Sequence, residues 1–199
     1  MLRKKLISQA IYSLFGFFAC LDVQEGMAGQ SDFEPTPVQA EALSQVHPKD
    51  YPGLPHNVRS ELEKRSCMIP QSYLNDNVHN AVLGQLMKPD QLDWAVICLR
   101  DKEFFLLVFP SGSRSSEMVG SPWTDYVHIE KYPNGRWGFG YNLKIHAVNP
   151  HTILRHYQQY GGPEPPPLNH QGLDLYCCEK ASVTYFWHKG SWLKLTGAD

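Results

Sequence analysis

Two segments of this chain carry apolar residues at successive positions for the length of a strand: Asp93 to Leu99 (DWAVICL) and Glu103 to Phe109 (EFFLLVF). Only Arg100-Asp101-Lys102 separates them, a polar turn between two apolar runs. A strand with one solvated face alternates, whereas a strand covered on both faces does not. The pattern therefore predicts a hairpin at the centre of a sheet with protein on either side. Pro110-Ser111-Gly112-Ser113 then breaks the run.

Weaker signals surround that pair. Val78 to Met87 holds Val82, Leu83 and Leu86 and joins the β-rich block. Residues 125–130 and 136–146 read as two strands joined at Pro133-Asn134-Gly135, where Asn-Gly favours a tight hairpin. Ala181 to His188 and Ser191 to Leu195 form a final hairpin around Lys189-Gly190.

Helical spacing occurs in two places. Val58, Leu62 and Arg65 follow Pro55, which suits a first turn, and Pro70 ends that helix by Met68. The clearer helix starts with Asn149 as N-cap and Pro150 in the first turn. It places Ile153, Leu154, Tyr157 and Tyr160 on one face and stops at Gly161. GPEPPPL (162–168) then predicts a stiff, extended, polyproline-like segment.

These elements predict a single α+β domain over residues 55–199, built on a mostly antiparallel sheet. The helix near 150–160 is expected on that sheet and the helix near 55–66 at its edge. Residues 29–54 read as a Pro-rich linker, with Pro35, Pro37, Pro48 and Pro52, broken only by a short helix over Gln39 to Val46.

The N-terminus has the three parts of a secretory signal peptide: basic Arg3-Lys4-Lys5, the apolar run Ala10 to Leu21, and small residues at Gly26-Met27-Ala28. The run holds twelve residues against the roughly 20 a spanning helix needs, so a stable transmembrane anchor is not expected. Lipidation at Cys20 is disfavoured, because the bulky Phe18 stands where a small residue is expected. Cleavage near Ala28 would export the rest of the chain to the periplasm or beyond, and about 171 residues suffice for one well-buried core. Their net charge is near −3, with no basic stripe, which argues against nucleic acid as a partner.

Export changes how the cysteines read. Cys67, Cys98, Cys177 and Cys178 follow the cleavage point, and in an oxidising compartment an even count points to disulfides. Cys177 and Cys178 are adjacent, and a ring closing neighbours is strained. The preferred pairing is Cys67–Cys98, tying the end of the first helix to a central strand. Whether Cys177 and Cys178 are paired or free stays open. Without a CxxC pair, a zinc site is disfavoured.

Little in the chain specifies chemistry. Pro110 to Ser116 (PSGSRSS) lacks the G-x-S-x-G elbow of a serine hydrolase. Cys98 lies in a buried run, which disfavours a thiolate. His151 and His156 are five apart and do not share a helical face. The segment Asn169 to Asp174 (NHQGLD) sets polar groups on a glycine turn after the rigid prolines, and scaffolded loops of this kind often carry function. His170, Asp174 and Glu179 have ligand-type side chains, though no metal spacing, and no cofactor is expected.

The strings DWAVICLRDKEFFLLVF, YGGPEPPPLNHQGLD and CCEKASVTYFWHKGSWLKLTGAD together resemble a group of uncharacterised exported bacterial proteins over roughly residues 55–199. In that group a tryptophan strand, a glycine-proline segment and the ending LTGAD occur in the same order. The resemblance implies export and a shared fold, and no activity. His-Asp-Gly in the group's proline-following loop is His170-Gln171-Gly172 here, which removes a carboxylate.

The leading expectation is a non-enzymatic exported domain that binds a protein or envelope component. Its exposed surface would be the aromatic hairpin around Trp187 and Trp192 together with GPEPPPL. The rival is a small metal-dependent or hydrolytic enzyme using His170, Asp174 and Glu179.

Overall fold

In the computed structural model, which describes residues 44–72, 77–124, 129–131, 133, 135, 137–139, 143–177 and 181–197, the two apolar runs pair as expected. They are β4 (Asp93–Arg100) and β5 (Glu103–Phe109), in register from Trp94↔Phe109 to Arg100↔Glu103. Asp101 (φ 51°) and Lys102 (φ 67°) are both left-handed, as a two-residue hairpin turn with the right twist requires. β3 (Ala81–Gly84) and β6 (Glu117–Trp123) flank the pair, giving an antiparallel sheet of order β3-β4-β5-β6.

A second antiparallel sheet has the order β12-β11-β10-β9. Its strands are β9 (Lys144–Val148), β10 (Gly172–Cys177), β11 (Ala181–His188) and β12 (Ser191–Thr196). The final hairpin turns at Lys189-Gly190 with His188 opposite Ser191. Two short pairs complete the sheet structure: β1 (Gln45–Val46) with β2 (Ile69–Pro70), and β7 (Ile129–Lys131) with β8 (Trp137–Phe139).

The reason for the non-alternating runs is visible in the layering. Ala95, Ile97, Leu99, Phe104, Leu106 and Val108 face the second sheet and meet Leu143, Ile145 and Leu173 there. Val96, Cys98, Leu107 and Phe109 point the other way, onto Val58 and Leu62 of α1 (His56–Lys64). The second sheet is covered on its own outer side by α2 (Pro150–Tyr160), through Ile153 and Tyr157 against Phe186 and Leu195. The order of layers is helix, sheet, sheet, helix, and the architecture is α+β with mostly antiparallel strands.

Several local expectations differ from this arrangement. Residues 44–54, placed in a linker on their prolines, belong to the fold. Gln45 and Val46 pair as strand rather than helix, and Tyr51 and Leu54 are buried under α1. Residues 39–43 lie outside the described residues. α1 sits on a sheet face, not at an edge, because its Val58–Leu62 stripe meets the outer side of β4 and β5. The single strand expected over 136–146 is two: β8 pairs with β7, and β9 joins the second sheet. NHQGLD is not wholly loop, since Gly172 opens β10. β6 carried no alternation in sequence, being rich in polar and small residues (EMVGSPW), and it forms against the exposed edge of β5.

Cys67 and Cys98 form the expected disulfide, with Cα atoms 5.1 Å apart. It joins the segment just after α1 to the centre of β4. No helix among the described residues is long and apolar enough to cross a membrane.

Candidate functional site

The segment singled out after the prolines delivers its side chains to different places. His170 is buried, and its ring Nδ1–H donates to the Gln171 carbonyl at 2.9 Å. Gln171 bridges to the first sheet: its Oε1 accepts from the Gln85 backbone N–H at 2.8 Å, and its own N–H donates to the Gln85 carbonyl at 2.7 Å. Gly172 then starts β10 at a point where a Cβ would lie 2.5 Å from the Tyr185 carbonyl oxygen and 2.9 Å from Ile153 Cδ1. Only glycine lets α2 approach the strand there.

Asp174 lies in the middle of β10, between Leu173 and Leu175, which pack toward the inter-sheet core. Its own side chain therefore takes the opposite, α2-facing side. Thr184 Oγ1 donates to Asp174 Oδ1 at 3.0 Å. The threonine has a single hydroxyl proton, so the contact of 2.9 Å between Thr184 Oγ1 and His156 Nδ1 is filled by the imidazole N–H. This assigns the Nδ1–H tautomer from the hydrogen-bond network. A chain Asp174–Thr184–His156 thus ties α2 to β10 and β11, and leaves His156 Nε2 buried without a partner. His146 stands opposite Asp174 on β9. Desolvation and the Lys144 charge push its pKa below 6.5, with Asp174 pulling the other way.

His170 and Asp174 are not joined by any hydrogen bond or ion pair, and Glu179 lies outside the described residues, as do Cys178 and the Cys177 side chain. Among the described residues no group of three His, Cys, Asp or Glu is placed to hold a metal ion.

Trp187 and Trp192 are cross-strand partners in an edge-to-face pair, with centroids 5.4 Å apart. Both are half-buried, and Trp192 packs on the inter-sheet core, so the hairpin's aromatics are as much core as surface. Exposed large apolar side chains are scattered over the described residues, among them Leu83, Leu92, Met118 and Leu193, with Leu154 and Tyr160 on α2. The extended segment 161–168 runs along the helix and leaves a groove of about 420 Å³ lined by Pro150, Leu154, Pro165, Pro166, Pro167 and Leu168. His151 and Glu164 also line it. Leu154, expected on the buried face of α2, is 43% exposed here.

Sequence reasoning missed a buried polar knot beside the first sheet. Ser72 and His79 are almost wholly buried, with His79 Nε2 at 2.9 Å from Ser72 Oγ and accepting from the Ser72 N–H at 2.8 Å. His79 Nδ1–H donates to the Asn77 carbonyl at 3.0 Å. Gln71 pairs with both backbone groups of His79. Burial pushes the His79 pKa down from 6.5, partly countered by the Asn77 bond. No spacing rule marks such a knot, because its members meet only when the chain turns back.

No protein-family model, curated protein or solved structure matches the chain. Among the candidate residues, His156, His170 and Asp174 make hydrogen bonds within the fold, while the α2 groove is lined mainly by proline and leucine side chains.

Proposed function

We propose that this is an exported, non-enzymatic domain that binds a protein partner on the face formed by α2 and the proline segment 161–168. The groove between them carries the reading. Pro163, Pro165, Pro166 and Pro167 hold an extended wall with little conformational freedom to lose on binding, and Leu154 on the facing helix is exposed. A groove of this size takes one or two apolar side chains of a partner segment. Release after cleavage near Ala28 supplies the compartment, and the Cys67–Cys98 disulfide is compatible with it.

Photo-crosslinking side chains at Leu154 and Pro166 of the exported protein test this. The same discrete adduct is expected from both positions, and none from Leu83, an exposed residue on the far edge strand. Loss of that adduct on Leu154→Asp would support the face. Equal labelling from Leu83, or no adduct from either groove position, would remove the proposal.

A further inference from the structure

The second sheet ends on an open edge. β12 is the last strand in the order β12-β11-β10-β9, and no described strand or loop bonds its outer side. Its pairing with β11 fixes which groups face outward. His188 and Ser191 flank the two-residue turn Lys189-Gly190 and so exchange both backbone bonds. Bonded pairs alternate from there, and the Gly197 N–H donating to the Ser182 carbonyl at 2.7 Å keeps the same alternation past the end of the strand. Ser191, Leu193 and Leu195 therefore bond β11, whereas the N–H and C=O groups of Trp192, Lys194 and Thr196 point away from it. Leu193, Lys194 and Thr196 are exposed, so water reaches this edge.

The other edges of the two large sheets are closed or broken. β3 and β9 approach each other: a Cβ on Gly84 would lie 2.9 Å from Ala147 Cβ, and Gln171 bonds both backbone groups of Gln85. β6 is interrupted by Gly120 at φ 69°, by a shift of register between Phe104 and Leu106 of its partner strand, and by Pro122, which has no N–H to offer. β12 (SWLKLT) has neither proline nor register shift across its six residues. The charge it carries is Lys194, which makes no ion pair among the described residues. Lys194 shares the side of Trp192, toward the first sheet, and Leu193 shares the α2 side with Leu195. A lysine on an edge strand opposes pairing between like copies. The full-length symmetric register, Trp192 on Thr196 about Lys194, would set two ammonium groups opposite each other. The same lysine favours a strand that brings a carboxylate to that position.

We propose that the open edge of β12 takes up an extended segment of a partner protein as an antiparallel strand, with a carboxylate opposite Lys194 and an apolar side chain beside Leu193. Trp192, Lys194 and Thr196 each exchange two backbone bonds with the residue opposite, which supplies affinity, and Lys194 selects the sequence. The site is on a different element from the α2 groove and does not depend on it.

An NMR titration of the disulfide-bonded protein with the peptide acetyl-TVEVT-amide tests the proposal. This peptide sets its glutamate opposite Lys194 and its valines on the α2 side. Saturable shifts are expected at the amides of Trp192, Lys194 and Thr196, with those of β3 and β6 unmoved. Replacing the glutamate by lysine should weaken binding about tenfold, and Lys194→Glu, an exposed change that leaves the core intact, should reverse that preference. Methylating the glutamate's amide nitrogen, which faces the edge, should abolish binding. Methylating a valine nitrogen, which faces away, should leave it within about threefold. No saturable shift at β12, equal binding of the two methylated peptides, equal binding of the glutamate and lysine peptides, or a charge preference unaltered by Lys194→Glu would each overturn the proposal. So would concentration-dependent self-association through the same three amides, which would give the edge to a second copy.

Discussion

Single side chains settle several strained or buried points in this protein, and His79 is one with a consequence in solution. Its ring accepts from Ser72 only while neutral, and burial holds its pKa below 6.5. The unfolded chain therefore takes up a proton first as the pH falls. Stability is complete above about pH 6.5 and declines below it, until the folded-state pKa is reached. Urea midpoints should be lower at about pH 5 than at about pH 7.5, and His79→Gln should flatten part of that difference. His146 acts in the same direction, so a remainder is expected in the variant. An unchanged difference in His79→Gln would show that this ring does not control it. Little of this was legible beforehand: Ser72 and His79 sit in an unpatterned stretch. Asp93 is comparable. It stands at the start of the most legible strand, yet only the fold shows its buried carboxylate accepting from the Leu86, Met87 and Ser111 N–H groups and from Gln91.

At the scale of elements, the sequence was most informative where local pattern and covalent chemistry agree. The β4–β5 hairpin and the Asn149-capped α2 follow from apolar runs, turn residues and a side chain that accepts from the Thr152 N–H at 2.9 Å. The disulfide belongs to this scale, because it staples the segment after α1 to β4 across 31 residues. In the chain-entropy account such a loop is worth about 3–4 kcal/mol. Cys67→Ser/Cys98→Ser should lower the unfolding free energy by about that amount, measured in urea, and reductant should reproduce the loss in the unsubstituted protein. A variant as stable as the parent would mean the bridge constrains nothing the fold does not already hold. β6 and β10 were missed for different reasons. β6 has little burial of its own beyond Val119, and β10 hides its Leu173–Leu175 alternation behind a polar run that reads as a turn.

The molecule as a whole rests on two sheets whose facing surfaces are not covalently joined in the region described. Asn80 helps to hold them. It is 1% exposed, has φ 70°, and donates through Nδ2 to the carbonyls of Pro70 at 2.8 Å and Leu143 at 3.0 Å. Asn80→Gly keeps the left-handed backbone and removes the amide, leaving two carbonyls unpaired. A loss of about 2–3 kcal/mol is expected by equilibrium denaturation, with the midpoint shifting and the cooperativity unchanged. A smaller loss with intact cooperativity would assign the coupling to the apolar interface between the sheets.

By itself, the sequence determined the class of fold, the central hairpin, the capped helix and the Cys67–Cys98 bridge. Each depends on neighbours in the chain or on a short menu of pairings. Tertiary structure alone decided that there are two stacked sheets rather than one, that residues 44–54 belong to the fold, and that Asp174 bonds Thr184 rather than His170. Those outcomes depend on which apolar faces find each other across long stretches of chain. Burial selects among many such matches by total surface removed from water, and no local pattern encodes that total.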